Sequence, residues 1–137
     1  MTLQSILFLV SLVVLAVWGY LADKQNKEQR GQKAFRERLA RFKDVYRLMP
    51  ELIQAMWKDL SNPQTKSARE FFIVSRKIAF DGGGGVLIYY IEDHHDLETK
   101  VGILADSGYV TDVTQYNVKK HRMSEEFVAL ILQAAKE

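Results

Sequence analysis

The densest group of side chains able to do chemistry lies in EDHHDLE, residues 92–98. Imidazole and carboxylate are zinc ligands, and the candidates are Glu92, His94, His95 and Asp96. Adjacent residues of a strand point to opposite faces, so the two histidines share one ion only in a loop. Because the helical His-Glu-x-x-His spacing is absent, we interpret the segment as an acidic turn. A metal site stays the alternative.

Four consecutive glycines, Gly82–Gly85, raise the question of an anion-binding loop. A phosphate loop leads into a helix and is followed by Lys and then Ser or Thr. Here the glycines lead into the strand-like VLIYY, and the next lysine is Lys100. Glycine readily adopts the positive φ that a chain reversal needs, so we interpret the run as the bend of a β-hairpin.

Acid–base and nucleophilic chemistry has only generic candidates in this sequence. Asp106 and Asp112 flank Ser107-Gly108 and would face each other across a turn, and His121 lies within the basic run KKHR. The chain contains no cysteine, which excludes disulfides, thiol catalysis and cysteine-ligated metals. We therefore expect no catalytic residue, no cofactor and no resident metal.

The N-terminal segment has the composition of a membrane span. No residue from Thr2 to Ala22 is charged, and the apolar run Ile6–Trp18 is broken only by Ser11. A helix of about 20 apolar residues crosses the hydrocarbon core of a bilayer. A cleaved signal peptide would begin with a basic region, whereas MTLQS has no Lys or Arg. We expect residues 1–22 to be an uncleaved transmembrane anchor.

Basic residues dominate the segment after the anchor. Residues 23–49 contain nine Lys or Arg against four Asp or Glu. Because such residues stay on the cytoplasmic side, we expect the N-terminus outside and the C-terminal domain in the cytoplasm. Anionic lipid headgroups attract the same charges, and the residues expected to face them are Arg30, Lys33, Arg36 and Arg41. Nucleic acid is not expected as a partner.

The predicted domain organisation has three parts. Residues 1–22 form the anchor, residues 23–33 a polar basic juxtamembrane spacer, and residues 34–137 a small cytoplasmic α+β domain. Within that domain, an apolar stripe predicts helices of about 34–48 and 50–60, separated or kinked at Pro50.

That stripe is wider than a two-position coiled-coil seam. It can pack inside the domain or dock on a protein partner or a second copy of the chain, and the sequence leaves both open. The residues that would dock are Phe35, Phe42, Tyr46, Met49, Met56 and Trp57.

The second half of the chain changes to the two-residue period of strands. The predicted strands, in chain order, are 69–80, 86–93, 99–106 and 109–114. The pair Ser107-Gly108 is interpreted as a hairpin turn, and residues 115–122 as a polar connection. Ser124 is expected to cap a last helix. The expected fold is α+β: an anchor, one or two amphipathic helices, a four-stranded antiparallel meander, and a C-terminal helix packed on the sheet.

These patterns favour a non-catalytic role. We expect a membrane-anchored accessory, assembly or adaptor subunit of a membrane protein complex, acting through protein–protein contacts of its cytoplasmic domain. One alternative is a surface protein that binds anionic lipid through the basic segment. The other is a membrane-tethered metal-binding protein or enzyme that uses the Glu92–His95 turn.

Overall fold

The computed structural model describes residues 2–78, 80 and 85–135. The helices are α1 (Leu3–Leu48), α2 (Pro50–Ser61), α3 (Leu97–Asp106) and α4 (Glu125–Ala134). The strands are β1 (Glu70–Val74), β2 (Leu87–Tyr90), β3 (Val110–Asp112) and β4 (Lys119–Met123). Contacts divide the chain into a first unit that ends at Ala40 and a second that begins at Arg41.

The first unit is helical and exposes its apolar side chains. Large hydrophobic residues from Leu3 to Leu21 are all at least 45% exposed. Among the described residues, α1 is the helix long and apolar enough to cross a membrane. The polar residues 23–33 continue this helix, and Gly31 does not interrupt it.

Pro50 separates the first two helices, as the sequence predicts. α1 ends at Leu48, Met49 is non-helical with φ −145° and ψ 56°, and Pro50 begins α2. Proline disfavours helical geometry in the residue before it, while its fixed φ suits the first turn of a new helix. α2 then places Leu52, Ile53 and other apolar residues in the core.

The four strands form one mixed sheet in the order β2-β1-β4-β3. β1 pairs with β2 in parallel and with β4 in antiparallel, and β3 pairs with β4 in antiparallel. The α+β class is therefore confirmed, whereas the purely antiparallel meander is wrong. β2 therefore runs in the same direction as β1.

The predicted glycine hairpin is also wrong, since a hairpin joins antiparallel strands. Gly82–Gly84 lie outside the described residues. Gly85 precedes β2 and has a φ of +78°, a conformation that glycine adopts without a Cβ clash.

Residues 99–106 form most of α3 and are not a strand. Leu97, Val101 and Leu104 are spaced four and three residues apart and are all buried. A helix places this set on one face, whereas a strand would divide it between two.

Ser107-Gly108 ends α3 and does not join two strands. Gly108 has φ +82°, and its N–H donates to the Ala105 carbonyl while that of Tyr109 donates to the Leu104 carbonyl. This pair of bonds is the Schellman arrangement that closes helices on a glycine.

Residues 115–122, predicted to be a polar connection, contain most of β4. Its strand lies between β1 and β3, and His121 and Met123 are buried. On the opposite face, Lys120 and Arg122 lie 2.6 and 3.1 Å from the carboxylate of Glu70 on β1. This segment forms a strand despite its polar composition because it pairs with β1 on one side and β3 on the other. Strand formation depends strongly on such tertiary context.

Rings from distant elements meet in the core of the second unit. Phe42 at the end of α1 packs edge-on against Tyr109 and Phe127, with centroids 5.7 and 5.9 Å apart. Phe127 belongs to α4, whose N-terminus is capped by Ser124 as predicted: Ser124 Oγ accepts from the Phe127 N–H at 3.1 Å.

Candidate functional site

The four cations expected at lipid headgroups lie on α1 and are exposed. Arg30, Lys33 and Arg36 belong to the first unit, and Arg41 begins the second. Their side chains are therefore accessible to an anionic surface.

The six residues of the apolar stripe do not share one environment. Phe42, Met49 and Met56 are 0% exposed and present no surface to a partner. Tyr46 and Trp57 are half-buried in the second unit, and Phe35 is half-buried in the first. Only the latter three retain accessible area for docking.

Tyr46 also lines a groove of about 410 Å³ in the second unit. The groove runs between the end of α1, α2 and the end of α4, and its polar lining consists of Lys43, Arg47 and Gln54. The Gln54 amide donates to the Tyr46 hydroxyl, which fixes the ring at the groove wall.

The EDHHDLE segment is tied to the end of β1. Glu92 accepts from the Ser75 hydroxyl and, at 3.0 Å, from the Arg76 N–H; these bonds lower the pKa of Glu92. The Arg76 guanidinium in turn lies 2.6 Å from the Asp93 carboxylate. Hydrogen bonds and an ion pair therefore hold this turn against the end of β1.

The two histidines of this segment have separate neighbours. His94 packs edge-on against the ring of Tyr89, with centroids 6.0 Å apart. His95 Nε2 lies 3.1 Å from the Asp96 carboxylate, and both side chains are exposed. Among the described residues, no three His, Asp or Glu side chains are placed to hold a metal. The turn's geometry offers no support for the metal-site alternative.

A second set of polar groups meets beneath α3, where the sequence did not predict a site. A cleft of about 240 Å³, which we call the α3 cleft, lies between this helix and strands β1, β3 and β4. Ile73, Val101 and Ala105 give it apolar walls. Its titratable residues are Glu98, Asp106, Asp112, Lys119 and His121.

Carboxylates dominate the charge of the α3 cleft. Lys119 Nζ lies 3.2 Å from the carboxylate of Glu98, so these two charges offset each other. Asp112 accepts from the Thr114 N–H at 2.9 Å, and hydrogen bonds from Thr114 lower the pKa of Asp112. Among the described residues, nothing forms a hydrogen bond or ion pair with the Asp106 side chain. The cleft therefore has three carboxylates and one lysine, and the charge of Lys119 also helps to lower the pKa of Asp112.

His121 forms part of the wall of the α3 cleft and is only 7% exposed. Its ring stacks on Phe71 with a centroid distance of 5.6 Å and an interplanar angle of 19°. Burial lowers its pKa, so the imidazole is neutral at pH 7. Its Nδ1 has no hydrogen-bond partner in the described part of the chain.

The sequence contained part of the signal for this cleft. Asp106 and Asp112 were expected to face each other across a hairpin; the structure brings both to one cleft, from the end of a helix and from a strand. His121 appeared to lie among cations, but strand alternation places Lys120 and Arg122 on the opposite face. The two-residue spacing of His121 and Met123 was the available indication.

No family model, curated protein or solved structure matches the chain.

Proposed function

We propose that the protein is a single-pass membrane protein whose second unit acts as a non-catalytic accessory, assembly or adaptor subunit of a membrane protein complex. The observation that carries this proposal is α1. The same helix contains an uncharged segment, a strongly basic segment, and Phe42 in the core of the second unit.

Phe42 connects the end of α1 to the second unit. Its ring contacts Tyr46, Tyr109 and Phe127, so the end of α1 is part of the second unit's core. The charge pattern favours a cytoplasmic second unit, since Lys and Arg stay on that side of the bilayer.

Cysteine labelling tests the membrane arrangement, because the chain has no cysteine of its own. Thr2→Cys and Ser61→Cys are made separately in the full chain and treated with a membrane-impermeant maleimide before and after permeabilisation. We expect the Thr2→Cys variant to react in intact cells and Ser61→Cys only after permeabilisation. Labelling of both sites in intact cells contradicts the proposed arrangement.

The partner surface is proposed to include Tyr46 and Trp57, the two half-buried stripe residues of the second unit. Tyr46 lines the groove between α1, α2 and α4, where an aromatic ring lies beside cationic and amide groups. Aromatic residues of this kind are enriched at protein–protein interfaces.

Gentle detergent extraction of the tagged full chain, followed by mass spectrometry, tests the adaptor role. We expect a specific membrane protein to co-purify and its recovery to fall with Tyr46→Ala. Tyr116→Ala is the matched control, because Tyr116 is 86% exposed and lies outside the groove. If the natural chain and the Tyr116→Ala variant both purify as a monomer without another membrane protein, the proposal is contradicted.

Lipid contact is a second proposal, favoured by the exposure of Arg30, Lys33, Arg36 and Arg41. Each cation near an anionic surface contributes about 1 kcal/mol. Replacing all four with Gln is expected to reduce anionic lipid retained by the purified full chain. Unchanged retention at low salt counts against an electrostatic role.

A further inference from the structure

We propose that strand β2 pairs in antiparallel with β2 of a second copy of this chain, which joins the two sheets edge to edge. This self-association is separate from the adaptor role proposed above, which concerns the groove at Tyr46.

The backbone of β2 has one edge without a partner strand. β2 lies at the end of the strand order, and among the described strands it pairs with β1 alone. The Ile91 N–H donates to the Val74 carbonyl of β1, and alternate residues of a strand direct their backbone groups to the same side. The odd-numbered residues of this segment therefore face β1. The residues that face the open edge are Val86, Ile88 and Tyr90.

The free backbone groups at this edge match those of a second copy. Within the described part of the chain, no hydrogen bond uses the Ile88 N–H or C=O, whereas the Tyr90 carbonyl already accepts from the Asp93 N–H at 3.1 Å. In an antiparallel pair centred on Ile88, the two Ile88 residues exchange both of their bonds. Each Tyr90 N–H then donates to the Val86 carbonyl of the other copy, and the occupied Tyr90 carbonyl needs no further donor.

The side chains of β2 lack the usual protection against edge pairing. Natural edge strands are protected by lysine or proline, and VLIYY contains no proline and no charged residue. In the proposed register, Ile88 lies beside Ile88 of the other copy, and Val86 lies beside Tyr90. Pairs of β-branched and aromatic residues stabilise neighbouring strands. One segment thus supplies both sides of every pair, which makes a second copy the occupant that this edge fits.

The paired edge is short, so the contact is weak and reversible in dilute solution. Stable protein interfaces bury about 1,200–2,000 Å² in total, which is more than a strand of four residues supplies. Two copies anchored in one bilayer meet at a raised effective concentration. This step rests on the membrane arrangement proposed above, so the experiments use the full chain in isolated membranes.

Disulfide trapping tests the pairing, because the chain contains no cysteine of its own. Ile88→Cys is expected to form a covalent dimer under mild oxidation, since the Cα atoms of a hydrogen-bonded antiparallel pair lie about 5.5 Å apart. Thr111→Cys is the matched control, because Thr111 is exposed on the other edge strand, β3, and should give at least about ten-fold less dimer. Equal yields from the two variants overturn the proposal. An Ile88→Cys chain that stays monomeric, or that is linked to a different protein, overturns it as well.

A second pair of variants tests the register. In the proposed pair, the two Tyr90 Cα atoms are about 14 Å apart, because roughly four residues separate their positions at about 3.4 Å each. Tyr90→Cys alone should therefore give little dimer, whereas a mixture of Tyr90→Cys and Val86→Cys chains with different tags should give a mixed dimer. Trapping of Tyr90→Cys with itself as readily as with Val86→Cys contradicts the antiparallel register.

Charge at Ile88 tests the contact without a cross-link. Because this residue pairs with itself, Ile88→Lys and Ile88→Glu each place like charges directly opposite one another. Each variant is expected to reduce co-purification of two differently tagged copies at least about ten-fold, and co-expression of the two variants is expected to restore it. Thr111→Lys is the control and should leave co-purification unchanged. Near-UV circular dichroism confirms folding, and folded charge variants that associate like the natural chain overturn the proposal.

Discussion

The Tyr89 hydroxyl donates a 2.9 Å hydrogen bond to Asp59 Oδ2, which ties edge strand β2 to helix α2. Burial raises the pKa of Tyr89 strongly, and the Asp59 carboxylate raises it further. The phenol therefore stays protonated at neutral pH and remains a donor to Asp59.

Tyr89→Phe is expected to lower the free energy of unfolding by about 1–2 kcal/mol, because Asp59 loses its donor while the ring still packs on Phe71. Urea denaturation of the full chain in micelles, followed by near-UV circular dichroism, measures the change. Tyr90→Phe is the control, with an expected change within about 0.5 kcal/mol. Equal losses in both variants would show that the Asp59 bond contributes nothing specific.

Phe42→Ala distinguishes the core role of the stripe from a docking role. Phe42 is 0% exposed, so its truncation is expected to cost about 3–5 kcal/mol. Leu48, which is 63% exposed on the same helix, gives the control Leu48→Ala with a cost below about 0.5 kcal/mol. The same urea titration applies, and a Phe42→Ala chain as stable as Leu48→Ala would contradict the buried placement.

His121 is expected to make stability depend on pH. Burial lowers its folded-state pKa below the ordinary value of 6.5. Just below pH 6.5, the unfolded chain therefore binds more protons at this residue than the folded chain does. Stability is therefore greatest above pH 6.5 and declines below it, until the folded-state pKa is passed. Between pH 7.5 and 5.5, Tm should fall further for the natural chain than for His121→Gln; parallel curves would contradict this role.

Ser124→Ala removes the N-cap of α4. Because the Phe127 N–H then loses its acceptor, we expect the free energy of unfolding to fall by about 1 kcal/mol. Ser107→Ala is the control, because Ser107 is exposed and is the C-cap of α3, not an N-cap. An effect of Ser107→Ala as large as that of Ser124→Ala would argue against the cap.

The sequence predicted those elements whose pattern is long or whose boundary is chemically distinct. The break at Pro50 and the cap at Ser124 follow from local backbone chemistry, and both occur in the structure. α3 was missed because TKVGILAD satisfies both periods over its short length. Only extension back to Leu97 shows the helical spacing with Val101 and Leu104.

The α3 cleft was beyond sequence reasoning because its walls come from separate elements. Glu98 and Asp106 belong to α3, whereas Asp112 and His121 belong to two paired strands. Placing them together requires the strand order, and the position of β4 beside β1 depends on tertiary pairing that no local pattern encodes.

The pairing of β1 with β4 has a consequence for the time at which the sheet is completed. Glu70 aligns with Arg122, which is separated from it by 52 positions. At about 5–20 residues per second, a ribosome needs roughly 3–10 s to make the intervening chain. The uncharged part of α1 is complete well before that interval begins. In the proposed membrane arrangement, the nascent chain is thus anchored in the bilayer first. The edge of β1 that pairs with β4 then stays unpaired near the membrane until β4 has been synthesised.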